Sequence, residues 1–270
     1  MQTTDQELIA RNIEVHDKVA RKYDTHHGEI FNPIEQERLA ASLSSALDAV
    51  TTGNKPLKAL DFGCGSGNLS RHLLALGCDV VAADVSKHFL ELVSGRFPAD
   101  RLSTLLMNGA DLSNVEDDSF DIVATYSVLH HVPDYLGAVR EMARVCRPGG
   151  VVYLDHEQNE GYWAGNDPVY GRFKSEVEKF DWKKFLKPSN YVHKVRRIFD
   201  PKHTNEGDIH VWPDDHIEWP KIKAIMEERG FDAVIEEDYL LFREIYRPEV
   251  FLNYVGRCTD MRVMAFRKRP

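Results

Sequence analysis

Ala59-Leu60-Asp61-Phe62-Gly63-Cys64-Gly65-Ser66-Gly67 is a short apolar run that meets an acid and then three glycines at alternate positions, and the amphipathic stretch Leu69 to Leu76 follows it. A strand, a glycine turn and a helix in that order build a nucleotide-type cofactor site at the carboxyl end of a parallel sheet. The glycines let backbone come close to a ligand and turn through φ > 0. Dinucleotide sites space them Gly-x-Gly-x-x-Gly, with a pyrophosphate on the helix N-terminus. Here the third glycine comes one residue early, at Gly67, and Asn68 holds the dinucleotide position. Asp61, two residues before the first glycine, would repel a pyrophosphate and suits a ligand that carries an ammonium group.

The order strand, Asp-x-Gly-x-Gly-x-Gly, helix resembles the class I S-adenosylmethionine (SAM)-dependent methyltransferases. The resemblance extends over roughly residues 57–155. Cys78 to Asp84 reads as a second strand ending in an acid, where a carboxylate can take both ribose hydroxyls. The resemblance gives that role to Asp84 with its neighbour Val85, and Ser86 caps the next helix. Leu105 to Leu112 reads as a third strand and its loop, and by resemblance Asp111 and the amide of Leu112 meet the adenine. Phe120 to Tyr126 is an apolar fourth strand ending in a loop with two histidines, His130 and His131. Arg147-Pro148-Gly149-Gly150 turns the chain into a fifth strand. The set is similar to the small-molecule branch of the family, quinone-biosynthesis methyltransferases included. It implies an α/β Rossmann-like fold with a seven-stranded, mostly parallel sheet, helices on both faces, a helical N-terminal lid and a cap inserted after the fifth strand.

Outside that core, residues 1–50 read as helices that lid the cleft. Leu39, Leu43 and Leu47 repeat at four-residue spacing, and Tyr23 resembles a tyrosine that reaches the cofactor. Residues 51–155 form the SAM-binding core, 156–214 the substrate cap, and 215–270 a helix and the last two strands. The cap is aromatic (Trp163, Trp182, Trp212) and carries a basic run from Lys183 to Lys202. That run suits a solvated helix face, an anionic acceptor or a membrane surface. The aromatics between residues 239 and 260 read as a further pocket wall. A net charge of −9 speaks against long nucleic acid as partner, since neutralising phosphate supplies most of that affinity. Four unpaired cysteines and the lack of a long apolar run point to a cytoplasmic protein with no membrane insertion. His203, His210 and His216 lack the paired spacing of a zinc site, and no metal is expected. Oligomeric state is not legible.

The implied reaction moves a methyl group from SAM to a small-molecule acceptor and leaves S-adenosylhomocysteine (SAH). O-methylation comes first, C- or N-methylation after it. The enzyme then needs in-line geometry, exclusion of water and removal of the acceptor's proton. His131 is the first candidate base, with His130 beside it. His156 and Glu157, directly after the fifth strand, come next. Tyr126 belongs to the cofactor loop by position. The alternative is a SAM- or SAH-binding protein that does not methylate. The stretch Tyr126-Ser127-Val128-Leu129 stands where base-methylating relatives carry an Asn-Pro-Pro-Tyr motif, which argues against methylation of nucleic-acid bases.

Overall fold

The computed structural model describes residues 28–51, 55–177 and 216–270. Tyr23, the basic run from Lys183 to Lys202, Trp182, Trp212, His203 and His210 lie outside the described residues. The elements are α1 (Gly28–Phe31), α2 (Pro33–Asp48), β1 (Lys58–Phe62), α3 (Asn68–Ala75), β2 (Asp79–Asp84), α4 (Lys87–Arg96), β3 (Leu102–Leu106), β4 (Phe120–Tyr126), a 3₁₀ turn (Leu129–His131), α5 (Tyr135–Val145), β5 (Cys146–Gln158), α6 (Glu160–Ala164), α7 (Pro168–Val177), α8 (Trp219–Glu228), β6 (Phe231–Tyr239), α9 (Pro248–Tyr254) and β7 (Met261–Lys268). The sheet has seven strands in the order β3-β2-β1-β4-β5-β7-β6. Its first five strands are parallel, and β7 runs antiparallel to both neighbours.

The strands are buried because helices cover both faces. β4 is buried at every position, the pattern of a central parallel strand. Its side chains alternate: Ile122 and Ala124 join Leu39, Leu43, Leu73 and Val93 of α2, α3 and α4 on one face. Val123 joins Val139, Met142, Trp219 and Ile222 of α5 and α8 on the other. The Leu39–Leu43 stripe is fully buried, as four-residue spacing on one helix face requires. Asn32 opens α2, its side chain accepting the Glu35 amide at 3.0 Å with Pro33 at the first helical position. Ser86 caps α4 in the same way through Phe89.

Two boundaries differ from the sequence reading. β3 begins at Leu102 and ends at Leu106, because its parallel register runs from Val80↔Leu102 to Asp84↔Leu106. The chain then leaves the sheet at Asn108, whose side-chain oxygen accepts the amides of Ala110 and Asp111 at 2.8 and 2.9 Å. β5 runs on to Gln158, so His156 and Glu157 lie within the strand. The aromatics of residues 239–260 divide. Tyr246, Phe251 and Tyr254 pack against Phe173 and Val177 of α7 in a small core of their own. They do not line the cofactor cavity; Tyr239 turns instead into a polar cluster above the sheet.

Candidate active site

A single cavity at the carboxyl edge of β1, β2 and β4 is lined by Asp61, Gly63, Gly65, Asp84, Val85, Asp111, Leu112, Tyr126 and His131, with Ile30 and Phe31 of α1 above it. The glycine turn positions the first group. Gly63, Gly65 and Gly67 have φ of 74°, 48° and 90°, values that cost an L side chain strain. They differ in what surrounds them. A Cβ on Gly63 would meet Val128 at 2.6 Å and one on Gly67 would meet Phe97 at 2.7 Å, but one on Gly65 would meet nothing within 4 Å. Gly63 and Gly67 therefore serve packing within the protein. Gly65 lines the cavity and has open space where a Cβ would stand. Gly67 itself is not part of the cavity wall; it leads into α3.

Asp84 ends β2 with both carboxylate oxygens held, one by the Gly65 amide at 2.9 Å and the other by the Ser86 amide at 2.8 Å. Asp61 accepts the Ser70 hydroxyl at 2.6 Å and is 1% exposed. Burial pushes its pKa up to about 7; the Ser70 hydrogen bonds oppose the rise and the Asp84 charge adds to it. An acid so placed favours a cationic ligand group, whose arrival would restore its charge. Asp111 is exposed, and hydrogen bonds from Ser113 and Asn108 hold its pKa down near about 2. The Leu112 amide is engaged by the protein: it donates to Glu141 Oε2 at 3.0 Å, and Glu141 also lines the cavity. A ring nitrogen reaching that amide would displace Glu141.

Beyond Tyr126 the edge of the sheet changes character. Leu154 pairs with Met264 and Glu157 with Arg262, so β5 carries one residue more than β7 between them. This is a β-bulge, a device that re-aims side chains. His156 sits in it at φ 64° and Ser127, next door at the end of β4, at φ 60°; the Ser127 amide donates to Asp155 O at 3.0 Å. Such backbone costs on the order of 1–3 kcal/mol for a non-glycine residue and gathers at functional sites. The bulge brings a buried polar cluster together. Arg38 of α2 donates to Glu35 at 2.6 and 2.9 Å and to Asp155 at 2.8 Å. Asp155 also accepts Tyr153 OH at 2.5 Å, Tyr239 OH at 3.2 Å and the His156 amide at 2.7 Å. Tyr126 OH donates to Glu35 at 2.8 Å. Burial pushes Glu35 up, but hydrogen bonds from Arg38 and His156 and their charges more than reverse this, to about 2. Burial and the neighbouring carboxylates raise Tyr126 and Tyr239 well above 10, so both phenols stay donors.

The three candidate histidines therefore stand in three different places. His131 is in the cavity wall. His130 stacks on it at 4.0 Å and holds Glu157 through Nδ1 at 2.8 Å. The other Glu157 oxygen accepts the amides of Val128 and Leu129 at 3.0 and 2.7 Å, so both of its oxygens are engaged by the protein. It fixes the loop that follows β4. His156 is 6% exposed and lies behind Tyr126, ring centroids 4.7 Å apart, rather than in the cofactor cavity itself. Sequence reasoning missed Glu35, Arg38, Asp155 and Glu141. A signal for Glu35 existed: it is an acid at the four-residue spacing of Leu39 and Leu43, on the stripe that must be buried.

A methyltransferase domain family matches residues 60–154. The chain is 24% identical over 193 residues to the ubiquinone biosynthesis O-methyltransferase of Pelagibacter ubique, spanning 67% of this chain and 80% of that protein. It is 34% identical over 173 residues to the demethylmenaquinone methyltransferase of Staphylococcus haemolyticus, spanning 56% of this chain and 70% of that protein. It spans about half, 48%, of the Xanthomonas oryzae ubiquinone biosynthesis O-methyltransferase. The fold is shared with a methyltransferase from Haloferax volcanii solved in complex with the Trm112 methyltransferase activator, at TM-score 0.56 and 15% identity over 94% of this chain and 98% of that one. It is also shared with an S-adenosylmethionine-dependent methyltransferase from Mesorhizobium loti, at TM-score 0.52 and 20% identity over 82% and 96% of the two chains. With the glycine turn, the acids of β1 and β2 and the seven-stranded sheet, the chain belongs to the class I SAM-dependent methyltransferases.

Proposed function

We propose that the protein transfers a methyl group to a proton-bearing hydroxyl of a small molecule, an O-methylation of a phenolic, quinone-type acceptor. The observation that carries this reading is the convergence in one cavity of Asp61, Gly65, Asp84 and His131, with a buried acid–histidine cluster one aromatic ring away. The quinone-biosynthesis activities of the relatives support the acceptor class. SAM supplies a methyl already activated on a sulfonium. The chain's own residues then hold, orient and deprotonate. Asp84 takes the ribose hydroxyls, its carboxylate aimed by two amides. Asp61 meets the amino group of the cofactor's amino-acid end, and Gly65 gives the backbone contact, with Gly63 and Gly67 shaping the turn. Val85, Asp111 and Leu112 enclose the adenine, and Tyr126 and His131 close the methyl end. The acceptor is a free small molecule met in the cytoplasm, not nucleic acid. Among the described residues no helix is long and apolar enough to cross a membrane.

Calorimetric titration with SAM and SAH, with NADH as control, tests the cofactor half. One-site binding of both thio-nucleosides and no response to NADH is the expected result. Asp84→Ala should weaken SAM binding about 100-fold, near 3 kcal/mol. Affinity within a factor of about three would remove the ribose assignment. Mass spectrometry of products from labelled SAM tests the acceptor half, and methyl on carbon or nitrogen would overturn the hydroxyl reading.

A further inference from the structure

We propose that His156, positioned by Glu35, is the group that takes the acceptor's proton, an inference that rests on the methyl-transfer reading above and names the proton's destination in it. The placement of His156 is unusual in three independent ways. It occupies a β-bulge at the carboxyl edge of the sheet, beside the cofactor cavity. It is held at φ 64°, a conformation a histidine adopts only when its surroundings impose it. Its ring lies on Tyr126, which lines the cavity. Nδ1 faces Glu35 Oε1 at 3.5 Å and Tyr239 OH at 3.4 Å, while Nε2 has no hydrogen-bond partner among the described residues. A carboxylate on one ring nitrogen fixes the tautomer and leaves the other nitrogen as the base.

The charge balance supports the same assignment. The groups against His156 are Glu35 from α2, Tyr126 from β4, Asp155 from β5, Tyr239 from β6, and Asp260 just before β7; Arg38 and Tyr153 stand one contact further out, on Glu35 and Asp155. The tyrosines remain neutral donors, and burial raises Asp260. Glu35 and Asp155 share Arg38, and Arg243 lies beside Asp260. In the step, the acceptor's O–H bond breaks and its proton forms an N–H bond on Nε2. The acceptor oxygen forms the new O–C bond, while the C–S bond breaks with its electron pair left on sulfur. The sulfonium's positive charge disappears as the imidazolium's appears. The arrangement suits a phenol, which must lose a proton, and adds nothing for a tertiary amine.

The test has two arms, both on the full chain. Long-range ¹H–¹⁵N spectra of histidine-labelled protein with SAH, with His156 identified by its loss in H156Q, should show Nδ1 protonated and Nε2 bare at about pH 8. E35Q should mix the tautomers. In the second arm, labelled SAM is offered with 3,4-dihydroxybenzoate or a 1,4-naphthohydroquinone. H156Q should lower turnover about 100-fold with SAH affinity changed less than about twofold. E35Q should lower kcat about tenfold and alter the acidic limb of its pH profile, whereas H131Q should act mainly on the KM for SAM. A proton on Nε2 in the wild type, or H156Q turnover within about threefold of wild type, would overturn the assignment. Methylation of neither probe would count against the phenol reading alone, because the tautomer arm still judges the dyad. If E35Q does not fold, as its melting with SAH would reveal, H156Q carries both arms.

Discussion

Asp61 and Glu35 are both carboxylates sealed from water, one in the cavity wall and one behind it on the hydroxyl of Tyr126, and they are pushed in opposite directions. Asp61, 1% exposed on the cofactor side, rises to about 7, and Glu35, 2% exposed on the far side, falls to about 2. The same burial acts on each. The difference is the company: Asp61 has a hydroxyl and the Asp84 charge, while Glu35 has a guanidinium, a phenol and an imidazole. The cofactor side is left incomplete by the protein and awaits a cation from outside. The other side is completed internally.

The largest test of that contrast removes the cation on the completed side. Arg38→Met would leave Glu35 and Asp155 facing each other's charge in the interior, and breaking a buried pair in this way costs about 3–5 kcal/mol. Urea unfolding of the empty protein measures it, and we expect a loss in that range. A loss below about 1 kcal/mol would mean that the two acids are balanced by His156 alone, and the division into a complete and an incomplete side would need redrawing.

A second comparison sits inside the glycine turn. Gly63→Ala drives a Cβ into Val128 and Gly65→Ala drives one into the cavity. The first should destabilise the empty protein by roughly 2 kcal/mol, strain and clash together. The second should cost about 1 kcal/mol of stability from its φ alone, and weaken SAH about tenfold. Melting temperature and SAH titration of both variants decide between them. If Gly65→Ala binds SAH normally, the open space beside Gly65 is not where the ligand lies.

The two sides also differ in how well they can be read from sequence. Asp61, the glycines, Asp84 and Ser86 lie within 26 residues of each other, and each is fixed by a local need: a turn at φ > 0, a strand end, a helix cap. A linear motif can state such needs. Glu35, Tyr126, Asp155, His156 and Tyr239 come from four distant segments, and their meeting depends on the bulge in β5 and on α2 packing across the sheet. No spacing rule expresses that. The bulge itself has no glycine to announce it, so β5 reads as ending where it in fact bends. The acid of α2 was visible at Glu35 as a charge on an apolar stripe, but its partner was not. β3 misleads for another reason: Asn108 ends it with its side chain, and its paired first half includes the polar Ser103 and Thr104, so the continuous apolar signal begins only at Leu105.

The remaining test separates the two acids by pH. Asp61 has its pKa raised in the folded state, from 3.8 to about 7. Its contribution to stability is fully present below 3.8 and is lost as pH rises through about 7, so the empty protein should weaken by about 2–3 kcal/mol from this group between pH 5 and 8. Glu35 has its pKa lowered to about 2, and its contribution is present above 4.5 and lost only as pH falls toward 2; it is silent in that window. An ammonium that meets Asp61 requires the carboxylate, so binding should release about one proton at pH 6 and about half a proton at pH 7. SAM affinity should then rise roughly eightfold between pH 6 and 7.5. Titrations in buffers of different ionisation enthalpy count the protons directly. Asp61→Asn should flatten the pH dependence along with weakening binding, whereas E35Q should leave it in place. Proton uptake on binding, or a slope that survives Asp61→Asn, would place the pH-sensitive acid elsewhere in the cavity, with Asp84 next in line.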